Sequence, residues 1–219
     1  AQKMVFATAR QLKVPSLQVL VCSTGKIGIQ LPVERVVSAL PKLVRSLKEE
    51  GLRRAARASL TTDDSIKIAG ETGVIGGKSF QIAGFAKGAG MIEPHMALST
   101  GSGHATMLAF FMTDLRLEKK VAQRLFRSAC EQTFNRITVD GDTSTNDTAL
   151  LLANGVAGNR AIRNSSDYHK VQSCLVRVME KLALKIVEDG EGATKLVHLV
   201  VRGARNETDA RRAAYTIGN

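Results

Sequence analysis

Between Lys87 and Asp114 the chain reads KGAGMIEPHMALSTGSGHATMLAFFMTD, and one hydroxyl in it stands where chemistry could use it. Thr106 follows an approach rich in glycine and small residues and heads the apolar run Met107-Leu108-Ala109-Phe110-Phe111, the pattern of a buried strand with a hydroxyl at its first position. A threonine hydroxyl attacks an acyl carbon only when a base takes its proton, and a threonine at a free chain end carries that base as its own amine. The plain alternative is a structural threonine at a strand start. Upstream, Lys87-Gly88-Ala89-Gly90 lacks the glycine spacing and the Lys-Ser/Thr end of a phosphate loop, so Lys87 by itself reads as a charge in a loop. His95 and His104 bracket the region, and either has the chemistry of a general base, although no partner acid follows from the spacing.

Four further polar clusters stand apart from this stretch. Ser23-Thr24-Gly25 and Gly28 follow the apolar run of residues 19–23 and read as a strand-ending turn. Thr61-Thr62-Asp63 has the residue types of a turn after a helix. Asp189-Gly190-Glu191-Gly192 sets a carboxylate between glycines, in a turn between helix and strand. The segment VDGDTSTN of residues 139–146, with Asp140 and then Asp147, has turn chemistry throughout. A calcium loop would need a longer series ending in glutamate, so this one reads as a structural loop lining or supporting a site.

The elements that must position these residues follow from periodicity. Helix is expected at the start of the chain, over residues 33–40 behind Pro32, again after Pro41 up to Gly51, and over residues 52–60. Residues 65–84 alternate short apolar segments with glycines, and Gly76-Gly77 fits a two-residue hairpin turn. Amphipathic helices are expected over residues 115–135, with Leu117, Val121, Leu125, Ala129 and Phe134 on one face, and over residues 168–186, closed by Asp189-Gly190. Strands are expected at residues 19–23, 106–111 and 196–201, and a last helix at 206–217. The fold class is therefore α+β, a layered sandwich of mainly antiparallel sheets with helices. No polar linker interrupts residues 1–219, which favours one interwoven unit.

Composition narrows the partners. Hydrophobic residues make up 44% and charged residues 23%, ordinary for a globular protein, and no apolar run approaches the ~20 residues of a membrane span. No charged and apolar leader opens the chain, so a secreted protein is not expected; the helical pattern at the very start suggests an upstream part. The formal charge of +11 invites nucleic acid, but the basic residues are scattered and only nine aromatics are available, none of them tryptophan, so no nucleic-acid partner is expected. Cys22, Cys130 and Cys174 have no metal-ligand spacing and read as reduced, and no metal or cofactor is expected.

Taken in order, STGKIG, TTD, KGAGMI, ATMLAF, DGDTSTND and DGEGATK resemble the ornithine acetyltransferases (glutamate N-acetyltransferases) from about Val19 to the end of the chain. The resemblance implies self-cleavage between Ala105 and Thr106 into an alpha chain (1–105) and a beta chain (106–219), with Thr106 as the acyl-carrying nucleophile. It implies an oxyanion hole at Thr24 and Gly25, and substrate contacts at Thr61, Lys87, Thr106 and Glu191. The implied reaction is ping-pong transfer of acetyl from N-acetylornithine to glutamate in the cyclic arginine pathway, by alpha/beta heterodimers paired into a heterotetramer. Bacterial cytoplasm, mitochondrial matrix and chloroplast stroma host that pathway. The family's N- and C-terminal parts are expected to lie outside residues 1–219. One departure stands inside: residues 98–104, LSTGSGH, separate Met96-Ala97 from Ala105-Thr106, where the family runs on without interruption. A self-processing aminopeptidase or amidase of the same architecture, and an inactive truncated paralogue, are the alternative readings.

Overall fold

Gly76 and Gly77 have φ of 56° and 75°, the left-handed pair that a two-residue hairpin turn requires. In the computed structural model, which describes residues 1–25, 28–96 and 107–219, they join β1 (Lys67–Ile75) to β2 (Lys78–Lys87) as an antiparallel pair. β2 pairs antiparallel with β3 (Leu108–Thr113), and β3 pairs parallel with β4 (Thr148–Ala153), giving the sheet order β1-β2-β3-β4. A parallel neighbour needs a crossover, and α4 (Lys119–Gln132) lies in that connection. The fold is α+β, with one mixed sheet among the described residues and a single parallel pair at its end.

The helices of this layer bury the faces that their periodicity marked. α5 (Ser165–Glu188) packs across β1 and β2, and α4 packs on α5. Ile75, Phe80, Ile82, Ala86, Ala109 and Phe111 of the sheet meet Leu125 and Ala129 of α4 and Leu175, Val178, Leu182 and Ile186 of α5 in one core. Leu115 and the half-buried Leu117 join that core before α4 begins, so the helix starts four residues later than the periodicity suggests. α5 opens on Asn164, whose side chain accepts the Asp167 N–H at 2.7 Å, and α6 (Glu207–Gly218) opens in the same way on Asn206. On the other sheet face Phe85 and Phe110 stack with centroids 4.9 Å apart.

Three expectations are corrected. α2 (Val33–Arg45) runs straight through Pro41 instead of breaking there. The missing hydrogen bond is tolerated because α2 packs along α1 (Gln2–Leu12) with Leu40 buried. After α2 the chain makes a short 3-10 turn (Glu49–Gly51) before α3 (Leu52–Ala58). The runs at 19–23 and 196–201 are not strands: neither has a ladder partner among the described residues, and Leu20, Val21, Leu196, Val197 and Val200 are exposed. An apolar run selects extended backbone, but a strand exists only where a neighbour supplies the other half of the ladder.

No helix among the described residues is long and apolar enough to cross a membrane. Cys130 and Cys174 are buried and Cys22 half-buried, all as free thiols.

At Gly84 β3 leaves no room for a side chain. A Cβ there would lie 2.7 Å from the Phe110 carbonyl oxygen and 2.7 Å from the Phe111 ring. Gly84→Ala is expected to lose about 1–3 kcal/mol in thermal or urea unfolding. Gly51→Ala, which meets nothing within 4 Å, is expected to stay within about 0.5 kcal/mol of the parent.

Candidate functional site

Lys87 ends β2 with 1% of its surface exposed, and its register partner is Leu108, two residues beyond Thr106. Its ammonium donates to Thr61 Oγ1 at 2.7 Å and lies 3.8 Å from Asp63 Oδ2. Asp63 is the hub below it. Its carboxylate accepts from the Gly88 N–H at 2.6 Å, from Lys67 Nζ at 2.7 Å and from the Thr61 N–H at 3.2 Å. Lys67, at the start of β1 and fully buried, also pairs with Asp189 at the end of α5. Asp189 Oδ2 in turn accepts the Asp64 and Ser65 N–H groups at 3.2 and 3.3 Å, which ties the loop of residues 61–65 to that helix end.

Glu191 approaches from the same helix end. Its N–H donates to the Ala89 carbonyl at 2.7 Å, and its carboxylate lies over Gly90, where a Cβ would come within 2.7 Å of it. The acidic loop closes the other side. Asp140 accepts the Met91 and Ile92 N–H groups, and Asp147 Oδ1 accepts the Met107 N–H at 2.6 Å.

The charges shape one another. Burial alone would push the Asp63 carboxyl up, but the Gly88 N–H and the Lys67 ammonium outweigh it and hold the group below the usual carboxylate range. Burial pulls the Lys87 ammonium below its ordinary value, against the attraction of Asp63. Asp147 is pushed up to about 7 by burial, which the Met107 N–H and Lys87 only partly offset. A buried cation rimmed by hydroxyl and carboxylate groups can hold a substrate with both a carboxylate and an amine.

Of the residues singled out in the sequence, the fold brings Thr61, Lys87 and Glu191 together. Thr24 and Gly25 are joined to this cluster by no hydrogen bond among the described residues. Gly25 has φ of 152°, which favours glycine, and Thr24 Oγ1 is buried without a hydrogen-bond partner among the described residues, an unspent donor. Ala105, Thr106, His104 and the insert of residues 98–104 lie outside the described residues; Met107, directly after them, is buried. His95 is set apart: its exposed ring faces Glu93 at 3.4 Å and Tyr215 at 5.9 Å between centroids. The sequence marked Asp63 and Asp189 only as parts of motifs, Lys67 not at all, and Asp147 only as loop. A lone lysine or aspartate carries no signal of burial, and only the alternation of Lys67 with Ala69 on β1 hints that Lys67 points inward. Among the described residues no group of His, Cys, Asp and Glu could hold a metal ion.

Removing one partner from buried charges leaves the others unpaired. Asp63→Asn is expected to cost about 3–5 kcal/mol near neutral pH by chemical denaturation. Because the folded-state Asp63 is depressed, its contribution is present above the unfolded carboxylate value and is lost as pH falls through the folded one. The gap between parent and variant should therefore narrow in acid; a gap constant with pH would contradict this.

The chain is similar to known proteins along its whole length. The model of the ArgJ family matches residues 1–219. The arginine biosynthesis bifunctional protein ArgJ of Geobacter sulfurreducens is 45% identical over 100% of this chain and 54% of its own length. That of Thermotoga neapolitana is 42% identical over 99% of this chain and 53% of its own. A mitochondrial relative of the same name from Schizosaccharomyces pombe is 44% identical over 91% of this chain and 44% of its own. A solved ArgJ structure from Bacillus halodurans is 40% identical and superimposes with a TM-score of 0.46, covering 48% of this chain and 50% of that one. The chain spans about half the length of the curated relatives it matches. With the whole of its described site and sequence inside that match, the chain belongs to the ArgJ family.

Proposed function

We propose that this chain transfers acetyl from N-acetylornithine to glutamate through an acetyl-threonine at Thr106, after cutting itself between Ala105 and Thr106. One observation carries the reading furthest: the buried Lys87 ammonium, held by Thr61 and near Glu191, ends the strand that pairs with the one Thr106 leads into. Family membership and relatives named for arginine biosynthesis support it.

In this scheme the free amine of residue 106 takes the proton of its own hydroxyl, and Oγ attacks the acetyl carbon. The Thr24 hydroxyl and the Gly25 N–H stabilise the developing oxyanion; losing one such donor costs about 3–4 kcal/mol of barrier. Lys87 and Thr61 hold the amino-acid carboxylate, while Glu191 accepts the substrate ammonium. Ornithine leaves, glutamate takes the same place, and its amine attacks the acetyl ester. The same few groups serve both halves because both substrates are α-amino-acid frameworks. The two cleaved pieces remain together as a heterodimer that pairs into a heterotetramer, in a bacterial cytoplasm or an organelle such as that of the mitochondrial relative.

Intact mass under denaturing conditions is the direct test. The parent is expected as two pieces, 1–105 and 106–219, and Thr106→Ala as one. Incubation with N-acetylornithine should add one acetyl group to the piece that begins at Thr106. A cleaved chain that takes up no acetyl group would exclude the transfer reaction. Glu191→Gln is expected to cleave normally but to lose about 10- to 100-fold in kcat/KM, the worth of one hydrogen bond to a charged group.

A further inference from the structure

Two buried lysines stand on neighbouring strands at the wall of the site. Lys67 opens β1 opposite Ala86, the residue before Lys87. Burial pulls the Lys87 ammonium down, and the charge of Lys67 adds to that pull against the attraction of Asp63. Burying an ion pair generally gains little over apolar residues of the same volume, so where the partners of Lys67 sit is the more informative fact.

Its ammonium donates to Asp63 Oδ1 at 2.7 Å, to Asp189 Oδ2 and to the Ser65 carbonyl at 3.4 Å. An ammonium has three N–H donors, and these three oxygens take them all. The two carboxylates belong to opposite ends of the site. Asp63 also accepts the Thr61 and Gly88 N–H groups, so it fixes the end that carries Thr61 and Lys87. Asp189 lies two residues before Glu191, whose N–H donates to the Ala89 carbonyl, so it fixes the other end. Lys67 is the one side chain among the described residues that bonds both carboxylates.

The distances assign Lys67 a second task. Asp63 meets Lys67 at 2.7 Å but stays 3.8 Å from Lys87, outside hydrogen-bond reach. Without Lys67, Lys87 would be the nearest cation to Asp63 among the described residues. A buried carboxylate draws in the cation left beside it, and an ammonium so engaged is less available to a substrate carboxylate.

We propose that Lys67 is a positioning residue for the amino-acid substrates: it fixes the Thr61 and Lys87 end of the site against the Glu191 end and holds Asp63 off the Lys87 ammonium. A substrate with both a carboxylate and an ammonium group is then met at both ends at once. This rests on the substrate-binding roles given above to Thr61, Lys87 and Glu191. Lys67 is fully buried with its donors spent, so it acts only through its partners.

The test compares the self-processed parent with Lys67→Met/Asp189→Asn, by initial rates of acetyl transfer over ranges of N-acetylornithine and of glutamate. The double change removes a positive and a negative charge together, and an amide at position 189 still offers an oxygen to the Asp64 and Ser65 N–H groups. KM for both substrates should rise about 10-fold or more, the worth of one hydrogen bond to a charged group, with kcat within about threefold of the parent. A role confined to folding would lower the fraction of active protein, so kcat would fall at unchanged KM. That result, or parental values of both constants, overturns the positioning role while leaving acetyl transfer intact. Asp189→Asn alone loosens the same link with Lys67 in place, and serves if the double variant does not fold. It should raise KM by a smaller factor, and an unchanged KM there overturns the proposal. A parent that transfers no acetyl group overturns the substrate reading and this role with it.

Discussion

Charges cannot be taken out of water singly, and that constraint organises the centre of this protein. Lys67 and Lys87 are both buried, and each is answered by Asp63, with Asp189 completing the set around Lys67. The cost of desolvating four ionised groups is recovered only in a geometry where the partners meet. Meeting that condition pins three separate pieces of chain at once: the start of β1, the end of β2 and the end of α5. The hydrophobic core sets how these elements pack, while the ion cluster sets where their ends stop.

From that fixed point the site is assembled by strand register. Lys87 opposite Leu108 sets the depth at which β3 enters the sheet, and Leu108 opposite Thr148 sets the acidic loop against its entrance. A slip of one residue in either pairing would turn Lys87 to the core face or withdraw Asp147 from the Met107 N–H. Gly84 and Gly90 serve the same end by absence: side chains there would meet β3 and the Glu191 carboxylate. The site is thus built on ordered strands and the loops between them, tied together where the carboxylates of Asp63, Asp189, Asp140 and Asp147 accept backbone N–H groups.

Much of the fold was legible in advance because it is local. The Gly76-Gly77 turn and the apolar faces of α4 and α5 each depend on residues within a few positions of one another. Errors came where locality fails. Pro41 was expected to break a helix that α1 holds together, and the runs at 19–23 and 196–201 were expected to be strands though no neighbour pairs with them among the described residues. Propensity describes one segment, whereas a ladder or a helix packing needs two.

The site divides along the same line. The sequence by itself determined the residue types and their order: a threonine heading an apolar strand, a lysine before glycines, a glutamate between glycines, and the family to which that order belongs. Only the tertiary structure decided that Asp63 and Lys67 lie buried under Lys87, and that Asp147, forty residues after Met107, holds its amide. Burial and charge pairing between distant segments set the proton affinity of a carboxyl, and neither quantity exists until the chain has folded.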